Sequence, residues 1–517
     1  MMIAWMLKQL YRLLRFLTSR LALFSLLIVV QVAILVVAMV QLSAYSYWVF
    51  GAFYLISMIA VLFIVANDQH PSYKIAWIIF VMSLPILGGC FYLAVGNNRI
   101  SKKRQRTHND YVAQNSALFH PQTQDLDRVL EESPHYWTQA QYIQRVSGFG
   151  PCGNTQVEYC PLGEDQHRRM LEELAKAQRF ILLEYFIIAQ GRMWDSILEI
   201  LVEKAAAGVE VKVMYDDLGC IQTLPEGYHR KLEQLGIQVV VFNPFRPSID
   251  PYMNYRDHRK ICVVDGVVGF CGGINLADEY INAYAKHGHW KDTAVILRGD
   301  GVWNLTRMFL QEWGHAAGQP LGDFEAYRVR QPVEAQGFVQ PYPDSPLDNF
   351  RVAEGVYLQM INRADKYVYI TTPYLILDSE FSTALTMAAE SGLDVRIVTP
   401  HVADKWYVHS VTRSYYALLL KSGVKIYEYT PGFIHAKMLV SDDHYAVVGT
   451  ANLDYRSLYL HHECAVVMVD NPIVHTVRDD ILDTIAQCQE ITLKQVRSRS
   501  LWSRMVSATL RVLAPLM

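Results

Sequence analysis

Hydrophobic and polar residues follow two different regimes along this chain. Three stretches, Leu21–Leu42, Trp48–Ala66 and Ile75–Val95, contain no Asp, Glu, Lys or Arg. Each has about the twenty residues that cross a bilayer core as a helix. Pro85, Gly88 and Gly89 in the third are tolerable in a membrane helix whose neighbours re-satisfy the backbone. From about residue 135 the pattern changes to short β-branched runs alternating with amphipathic stretches. Phe180–Ile188, Val209–Tyr215 and Ile237–Phe242 read as strands, separated by helices over Glu164–Gln178 and Asp195–Ala207. The same order returns in Tyr367–Thr372, Tyr374–Asp378, Val395–Thr399, a helical Ser410–Lys421 and Val424–Tyr429. Such alternation predicts an α/β fold whose sheets are covered on their faces.

The expected organisation is a membrane anchor over 1–110, a linker over 111–135, a first α/β domain over 136–330, a linker over 331–348 and a second domain over 349–517. The first apolar stretch is longer than a signal-peptide core, and no small-residue cleavage site follows it, so it reads as retained. Four basic residues precede it and five lie between Arg99 and Arg106. The positive-inside rule places both clusters in the cytoplasm, which three full spans forbid. The first stretch is therefore the candidate for a re-entrant or interfacial segment, the other two forming a hairpin that leaves the large body cytoplasmic.

Charge sharpens the division. Residues 1–110 hold ten Lys and Arg against two Asp, a balance of +8, so the overall −3 leaves −11 for the rest. A body that acidic is a poor partner for nucleic acid. Eight scattered cysteines with no CxxC pair argue against a zinc or disulfide framework and mildly for a reducing compartment.

The repeat is sharpest where the chemistry is densest. His258-Arg-Lys260 is followed after four residues by Asp265-Gly266, and His435-Ala-Lys437 after four by Asp442-Asp443. From each histidine a glycine follows at +14 (Gly272, Gly449) and an asparagine at +17 (Asn275, Asn452). Histidine and lysine two apart on an extended strand share a face. They present an imidazole and an ammonium to one phosphate, and an asparagine amide can add a hydrogen bond, as phosphodiester chemistry requires. Two facing half-sites would supply one histidine to attack phosphorus and another to protonate the departing alkoxide, with no metal or cofactor needed.

These paired motifs resemble the phospholipase D superfamily. The blocks Glu184-Tyr-Phe-Ile-Ile188, Tyr215-Asp-Asp-Leu-Gly219, Gly272-Gly-Ile-Asn-Leu276, Thr372-Pro-Tyr-Leu375 and Gly449-Thr-Ala-Asn-Leu-Asp-Tyr-Arg-Ser457 are similar to those of bacterial cardiolipin synthases. So are Pro71-Ser-Tyr-Lys-Ile-Ala-Trp77 and Leu84-Pro-Ile-Leu-Gly88 near the N-terminus. The resemblance implies two tandem phospholipase D-like α/β domains forming a pseudo-dimer behind N-terminal transmembrane helices, in a multi-pass protein of the bacterial inner membrane. It further implies transfer of a phosphatidyl group from one phosphatidylglycerol to another through a phosphohistidine, releasing glycerol and making cardiolipin.

The implied catalytic set is His258, Lys260, Asp265, His435, Lys437 and Asp442, with His258 as nucleophile and His435 as general acid, an assignment that could be reversed. Asn275 and Asn452 would help hold the phosphate. Asp292 and Glu463 are candidates for orienting the histidines, one across each half, since a carboxylate fixes an imidazole's tautomer. Asp265 and Asp442 stand equally well as structural residues making local hydrogen bonds. His287, His289, His461 and His462 read as solvent-facing or supporting, without the spacing of a metal site. The basic amphipathic stretch Leu501–Met517 either lies on an anionic membrane or packs on the last domain. Water or serine as acceptor, a nuclease and a non-catalytic membrane scaffold are the competing functions; the anchor and the acidic body disfavour the nuclease, and two intact motifs disfavour the scaffold.

Overall fold

The computed structural model describes residues 47–67, 69–84, 102–115 and 125–516 except 246–250, 319–321, 331, 332 and 349, together with isolated positions before residue 119. The first apolar stretch, Cys90 and most of residues 85–101 lie outside the described residues. Contacts divide the chain into a small unit, 1–99 with 245–252, and a large one holding most of the remainder.

In the small unit, helix α1 spans Tyr47–Ala66, 20 residues without a charge. Helix α2 spans Pro71–Ser83, with proline opening its first turn and His70 Nδ1 accepting from the Ser72 amide at 3.2 Å. Ala60, Ile64, Trp77, Val81 and Tyr92 make their shared core, while Leu55, Leu62, Phe63 and Ile75 point outward. The described side chains of α1 begin at residue 51. Among described residues no helix is long and apolar enough to cross a membrane.

The large unit is one sheet design built twice. The first half contains β1 (Thr155–Cys160), β2 (Phe180–Tyr185), β3 (Glu210–Asp216), β4 (Gln238–Phe242), β5 (Arg256–Asp257), β6 (Lys260–Val264), β7 (Val268–Gly272), β8 (His289–Lys291) and β9 (Ala294–Gly299). The second contains β10 (Phe338–Asp344), β11 (Tyr367–Thr371), β12 (Asp394–Pro400), β13 (Lys425–Tyr429), β14 (Gly432–Ile434), β15 (Met438–Ser441), β16 (Tyr445–Gly449), β17 (His461–Val469) and β18 (Cys488–Ile491). The sheet orders are β1-β9-β7-β6-β2-β3-β4 and β10-β17-β16-β15-β11-β12-β13-β18. Each is parallel only across its β2-β3-β4 or β11-β12-β13 segment.

Both faces of each sheet are covered, which is why β2 is apolar without a break. Ile181 and Leu183 point to helices Gly163–Leu174 and Arg192–Ala206. Leu182, between them, points into a core shared by the two sheets, with Met214, Ile261 and Val263 meeting Val398, Met438, Val440 and Val466. The second sheet's outer face packs under helices Val352–Arg363, Ser379–Glu390 and Trp406–Lys421. Cys271 and Cys464 touch across the shared core, Sγ to Sγ 3.6 Å; the described cysteines are free.

Two boundaries differ from the expected ones. β10 lies inside the expected linker 331–348 and pairs along all seven residues with β17. Proline at two of its positions suits this place at the edge of the sheet. Helix Pro134–Ser147, expected to open the first domain, buries Tyr136, Ala140 and Ile143 in the second half's core. Tyr374–Asp378 is no strand; its link to the sheet is a single bridge, Leu375 to Leu453.

Two short parallel pairings join the halves, β5 to the start of β17 and β14 to β8. Gly432 in β14 has no room for a side chain: a Cβ would lie 2.3 Å from both the amide nitrogen and the carbonyl oxygen of His289. Gly432→Ala is therefore expected to force β14 from β8, costing about 1–3 kcal/mol by overpacking. Gly322→Ala, where a Cβ meets nothing within 4 Å, is the neutral control. Thermal unfolding of the two variants compares them.

Candidate active site

The short pairings fix where the motif histidines point. The His258 amide donates to the His462 carbonyl at 2.9 Å, and the His435 amide to the Lys291 carbonyl at 2.7 Å. In each case the next residue of the opposite half is a carboxylate. Its oxygens meet the histidine ring: Glu463 lies 2.9 and 3.0 Å from His258 Nδ1, and Asp292 Oδ2 lies 2.6 Å from His435 Nδ1. Both carboxylates are fully buried. An ionised carboxylate only accepts, so each Nδ1 carries the proton and each Nε2 keeps its lone pair. Glu463 also receives the Thr450 hydroxyl, and Asp292 the Thr293 amide at 2.8 Å. Asp292 and Glu463 thus sit on the histidines, each reaching across from the other half.

The +14 glycines permit this approach. A Cβ on Gly272 would lie 2.4 Å from the Thr293 carbonyl oxygen, and one on Gly449 2.7 Å from that of Cys464. Those carbonyls follow Asp292 and Glu463 directly.

His258, His435, Asn275 and Asn452 line one cavity of about 740 Å³ together with Phe186, Tyr280, Trp290, Tyr374 and Arg456. Asn275 Oδ1 accepts from the Ile187 amide at 3.0 Å and its Nδ2 donates to the Tyr280 hydroxyl at 2.7 Å. Asn452 Nδ2 reaches Ser457 Oγ at 3.2 Å, the same five-residue step.

The lysines lie beneath the cavity rather than in its wall. Lys260 and Lys437 are buried, each donating to the carbonyl of its own motif histidine. Lys437 Nζ also sits 2.7 and 3.0 Å from the two ring nitrogens of His435. The expectation that histidine and lysine jointly face a phosphate is met by the histidines alone in this conformation. The buried ammonium takes the nearest carbonyl because an unpaired charge there is costly.

Burial dominates the acid–base balance. It lowers the His258 imidazolium to a pKa of about 3 and that of His435 to about 4, against the carboxylates, which pull upward. The lysines fall for the same reason, Lys260 to about 8 and Lys437 to about 7. Burial pushes the Glu463 and Asp292 carboxyls up, but His258 and His461 beside Glu463, and Lys437 and His435 beside Asp292, outweigh it, so both stay below the usual carboxylate range.

Asp265 and Asp442, placed in the catalytic set, are not at this site. They form the turns of the hairpins β6–β7 and β15–β16, roughly 20 Å along the strand from the histidines at about 3.3 Å per residue. Asp265 and Gly266 have φ of 54° and 71°, and Asp442 and Asp443 of 55° and 64°, the left-handed pair of a type I′ turn. The Asp265 carboxylate accepts from the amides of Gln178, Arg179 and Phe180, and Asp442 from those of Asp365, Lys366 and Tyr367. Each ties down the start of the central strand, β2 or β11. The motif's aspartate is an architectural residue.

Of the four other histidines, read as solvent-facing or supporting, His461 and His287 line the cavity, whereas His462 is buried against Glu312 at 3.1 Å and His289 meets the Tyr429 hydroxyl at 2.9 Å. Sequence reading misses the charged neighbours of His258. Asp257 and Arg259, flanking His258, join Glu184 and Glu312 in a buried ionic cluster, Arg259 lying 2.9 Å from Glu184 and 3.1 Å from Asp257. The period-two alternation around His258 was the available signal. His258, His461 and Glu463 bring potential metal-ligating atoms within 4.8 Å of one another. A metal ion there would displace the Nδ1 proton that Glu463 accepts.

The halves match the family described as cardiolipin synthase, PLD-like domain, over residues 170–294 and 357–484, and residues 54–97 match phospholipase D-nuclease N-terminal. Two such sheets with a shared pair of histidine motifs are the mark of the phospholipase D superfamily. A crystal structure of phosphatidylserine synthase from Haemophilus influenzae has the same fold, with a TM-score of 0.56 at 14% identity over 73% of this chain and 97% of that one. Cardiolipin synthase of Halalkalibacterium halodurans is 32% identical over 92% of this chain and 96% of its own length. That of Geobacillus kaustophilus is 33% identical over 94% and 99%. An uncharacterized protein of Streptococcus mutans is 42% identical over 89% of this chain and 99% of its own. The chain belongs to the cardiolipin synthase family.

The lysine pKa values predict how the site binds anions. Lys437 and Lys260 lose their charge as pH rises through about 7 and about 8. Sulfate, whose charge is constant in this range, is expected to bind more weakly at pH 9 than at pH 6, by calorimetry. Lys437→Met should flatten that dependence.

Proposed function

We propose that this protein is a phosphatidyltransferase that joins two molecules of phosphatidylglycerol into cardiolipin. The observation that carries the reading is the pair of imidazoles in one cavity, each with Nδ1 held by a buried carboxylate and Nε2 left for chemistry. His258 Nε2 attacks the phosphorus of the donor lipid; the bond from phosphorus to the glycerol oxygen breaks, and His435 Nε2 gives that oxygen its proton. The phosphatidyl group is now on His258. A hydroxyl of the second lipid's glycerol then loses its proton to His435 and attacks phosphorus, and the phosphorus–nitrogen bond breaks to return His258. Family resemblance assigns these two roles, and the near-symmetric geometry accommodates their exchange.

Burial keeps both histidines neutral at pH 7. That suits a nucleophile, while the general acid needs a proton. A phosphodiester anion beside His435 opposes the effect of burial, since a nearby opposite charge favours the cation. Lys260 and Lys437 serve the phosphate oxygens after a change of side-chain torsion, and Asn275 and Asn452 face it from the cavity wall. Asp292 and Glu463 orient the rings and stabilise the imidazolium.

The anchor reading assigns α1 and α2 to a membrane hairpin. Helix α1 carries no charge over its 20 residues and exposes Leu55, Leu62 and Phe63, which suits apolar surroundings. Anchoring in the bacterial inner membrane with a cytoplasmic catalytic body is supported by the basic clusters before the first apolar stretch and after the third.

Helix Leu501–Leu513 supports a second contact with anionic lipid. Ser507 meets Ser410 at 2.9 Å, and the Arg511 guanidinium lies 4.0 Å over the Tyr415 ring. Its other face exposes Leu501 (74%), Trp502 (73%) and Met505 (62%), and Trp406 on the neighbouring helix is 68% exposed. Lys494, Arg497 and Arg504 supply positive charge nearby. Packing and membrane docking are thus served by opposite faces of one helix.

The decisive measurement is product analysis of purified protein in phosphatidylglycerol vesicles with EDTA present. Cardiolipin and free glycerol in equal amounts are expected, both lost in His258→Ala and His435→Ala. Phosphatidic acid in place of cardiolipin would make water the acceptor and sink the synthase reading. Trp502→Glu is expected to slow turnover several-fold on vesicles and much less on a short-chain, monomeric phosphatidylglycerol.

A further inference from the structure

The halves are near copies, so matching positions can be compared around the cavity. Asn275 corresponds to Asn452, which sets Glu279 against Arg456; Asp292 corresponds to Glu463, which sets Trp290 against His461. The Trp290 ring centroid lies 5.5 Å from that of His435, and the His461 centroid 5.5 Å from that of His258. The same places carry different chemistry. Beside His435 the wall carries Trp290 and the Glu279–Lys286 ion pair at 3.2 Å, and beside His258 it carries His461 and Arg456.

Arg456 makes no ion pair on that side; the carboxylate it feels most is Asp454, two residues before it on the same cavity wall. Among the described residues no carboxylate lies within ion-pair distance of its guanidinium, and its Nε sits 3.5 Å from His461 Nε2. Arg256, close by, is by contrast paired with Asp216 at 2.9 Å. His461 Nδ1 has no hydrogen-bond partner, Glu463 Oε1 standing 3.7 Å away. A half-buried arginine whose one hydrogen bond among the described residues is to a neutral ring nitrogen has lost hydration that an anion would restore. Its fork of donors matches two phosphate oxygens. Lys260 and Lys437 are tied to the carbonyls of the motif histidines beneath the cavity, whereas Arg456 stands in its wall.

We propose that Arg456, with His461, forms the subsite that receives the phosphodiester of the acceptor lipid. The inference rests on the phosphatidyl-transfer reading and deepens it. An acceptor bearing its own phosphate is held there, whereas water or free glycerol is not. The subsite thus decides what resolves the phosphatidyl-histidine. It has no copy on the other half, where Glu279 occupies the matching position and is paired with Lys286 at 3.2 Å.

The test uses the full-length enzyme in phosphatidylglycerol vesicles with two readouts, cardiolipin formation and exchange of radiolabelled free glycerol into phosphatidylglycerol. Exchange uses the same nucleophile and acid–base group, with an acceptor that carries no phosphate. Arg456→Gln is expected to lower cardiolipin formation by about tenfold or more relative to exchange, the loss of one charge-assisted contact. Arg456→Lys, which keeps the charge, should recover part of that loss. Retained exchange also shows that the variant folds. Equal loss of both reactions, or an unchanged ratio, would overturn the subsite. Failure of the underlying reading shows separately, since the wild-type enzyme would then form no cardiolipin from phosphatidylglycerol, and the subsite would fall with it.

Discussion

Everything at the catalytic centre depends on a backbone hydrogen bond that crosses between the halves. The amide of each motif histidine is donated to a carbonyl of the other half, and the residue after that carbonyl is the acid that holds the ring. Neither half can orient its own histidine. The shared core of the two sheets supplies the adhesion, but the register of two short parallel pairings sets the chemistry. A one-residue slip would turn the carboxylate to the other side of its strand, so the site is far more sensitive to register than the core is.

That architecture makes a buried, low-dielectric pocket out of groups that individually resist burial. Two imidazoles, two ammonium groups and two carboxylates lie together with little exposure. The carboxylates stay ionised because the imidazole N–H groups, and for Asp292 also the Lys437 ammonium, outweigh their burial, while the histidines are kept neutral because burial outweighs those carboxylates. A neutral imidazole with Nδ1 occupied is a nucleophile ready at Nε2. The lysines, with pKa values drawn down towards neutrality, are poised to gain most from an arriving phosphate.

Duplication explains the shared machinery, and departures from it define what the enzyme does with that machinery. The turn aspartates and the +14 glycines are repeated with matching contacts, and each asparagine donates to the hydroxyl five residues on. The cavity rim is not: Trp290 holds the position that His461 holds in the other half, and Glu279 that of Arg456. Two identical half-sites would bind two identical ligands in the same way. A transfer reaction needs one site for the group being moved and another for the molecule receiving it, and the unmatched residues provide that distinction.

Much of this was legible in the sequence. Short β-branched runs located the strands β2, β3, β4, β11, β12 and β13 to within a few residues, and the recurrence of H-x-K-x4-D with its glycine and asparagine exposed the duplication, because turn chemistry and strand spacing are local properties. Sequence could not tell which aspartates act on histidine and which hold a turn, since Asp265 and Asp292 differ only in where the chain carries them. It also mistook β10 for a linker, since an edge strand with two prolines satisfies its hydrogen bonds on β17, more than a hundred residues away. The sequence by itself determined the repeated α/β plan, the apolar N-terminal segments and the identity of the reacting groups. Only the tertiary structure decided the pairing of each histidine with its acid, the burial that sets their protonation and the asymmetry of the rim. Those depend on contacts between halves, which no local pattern encodes.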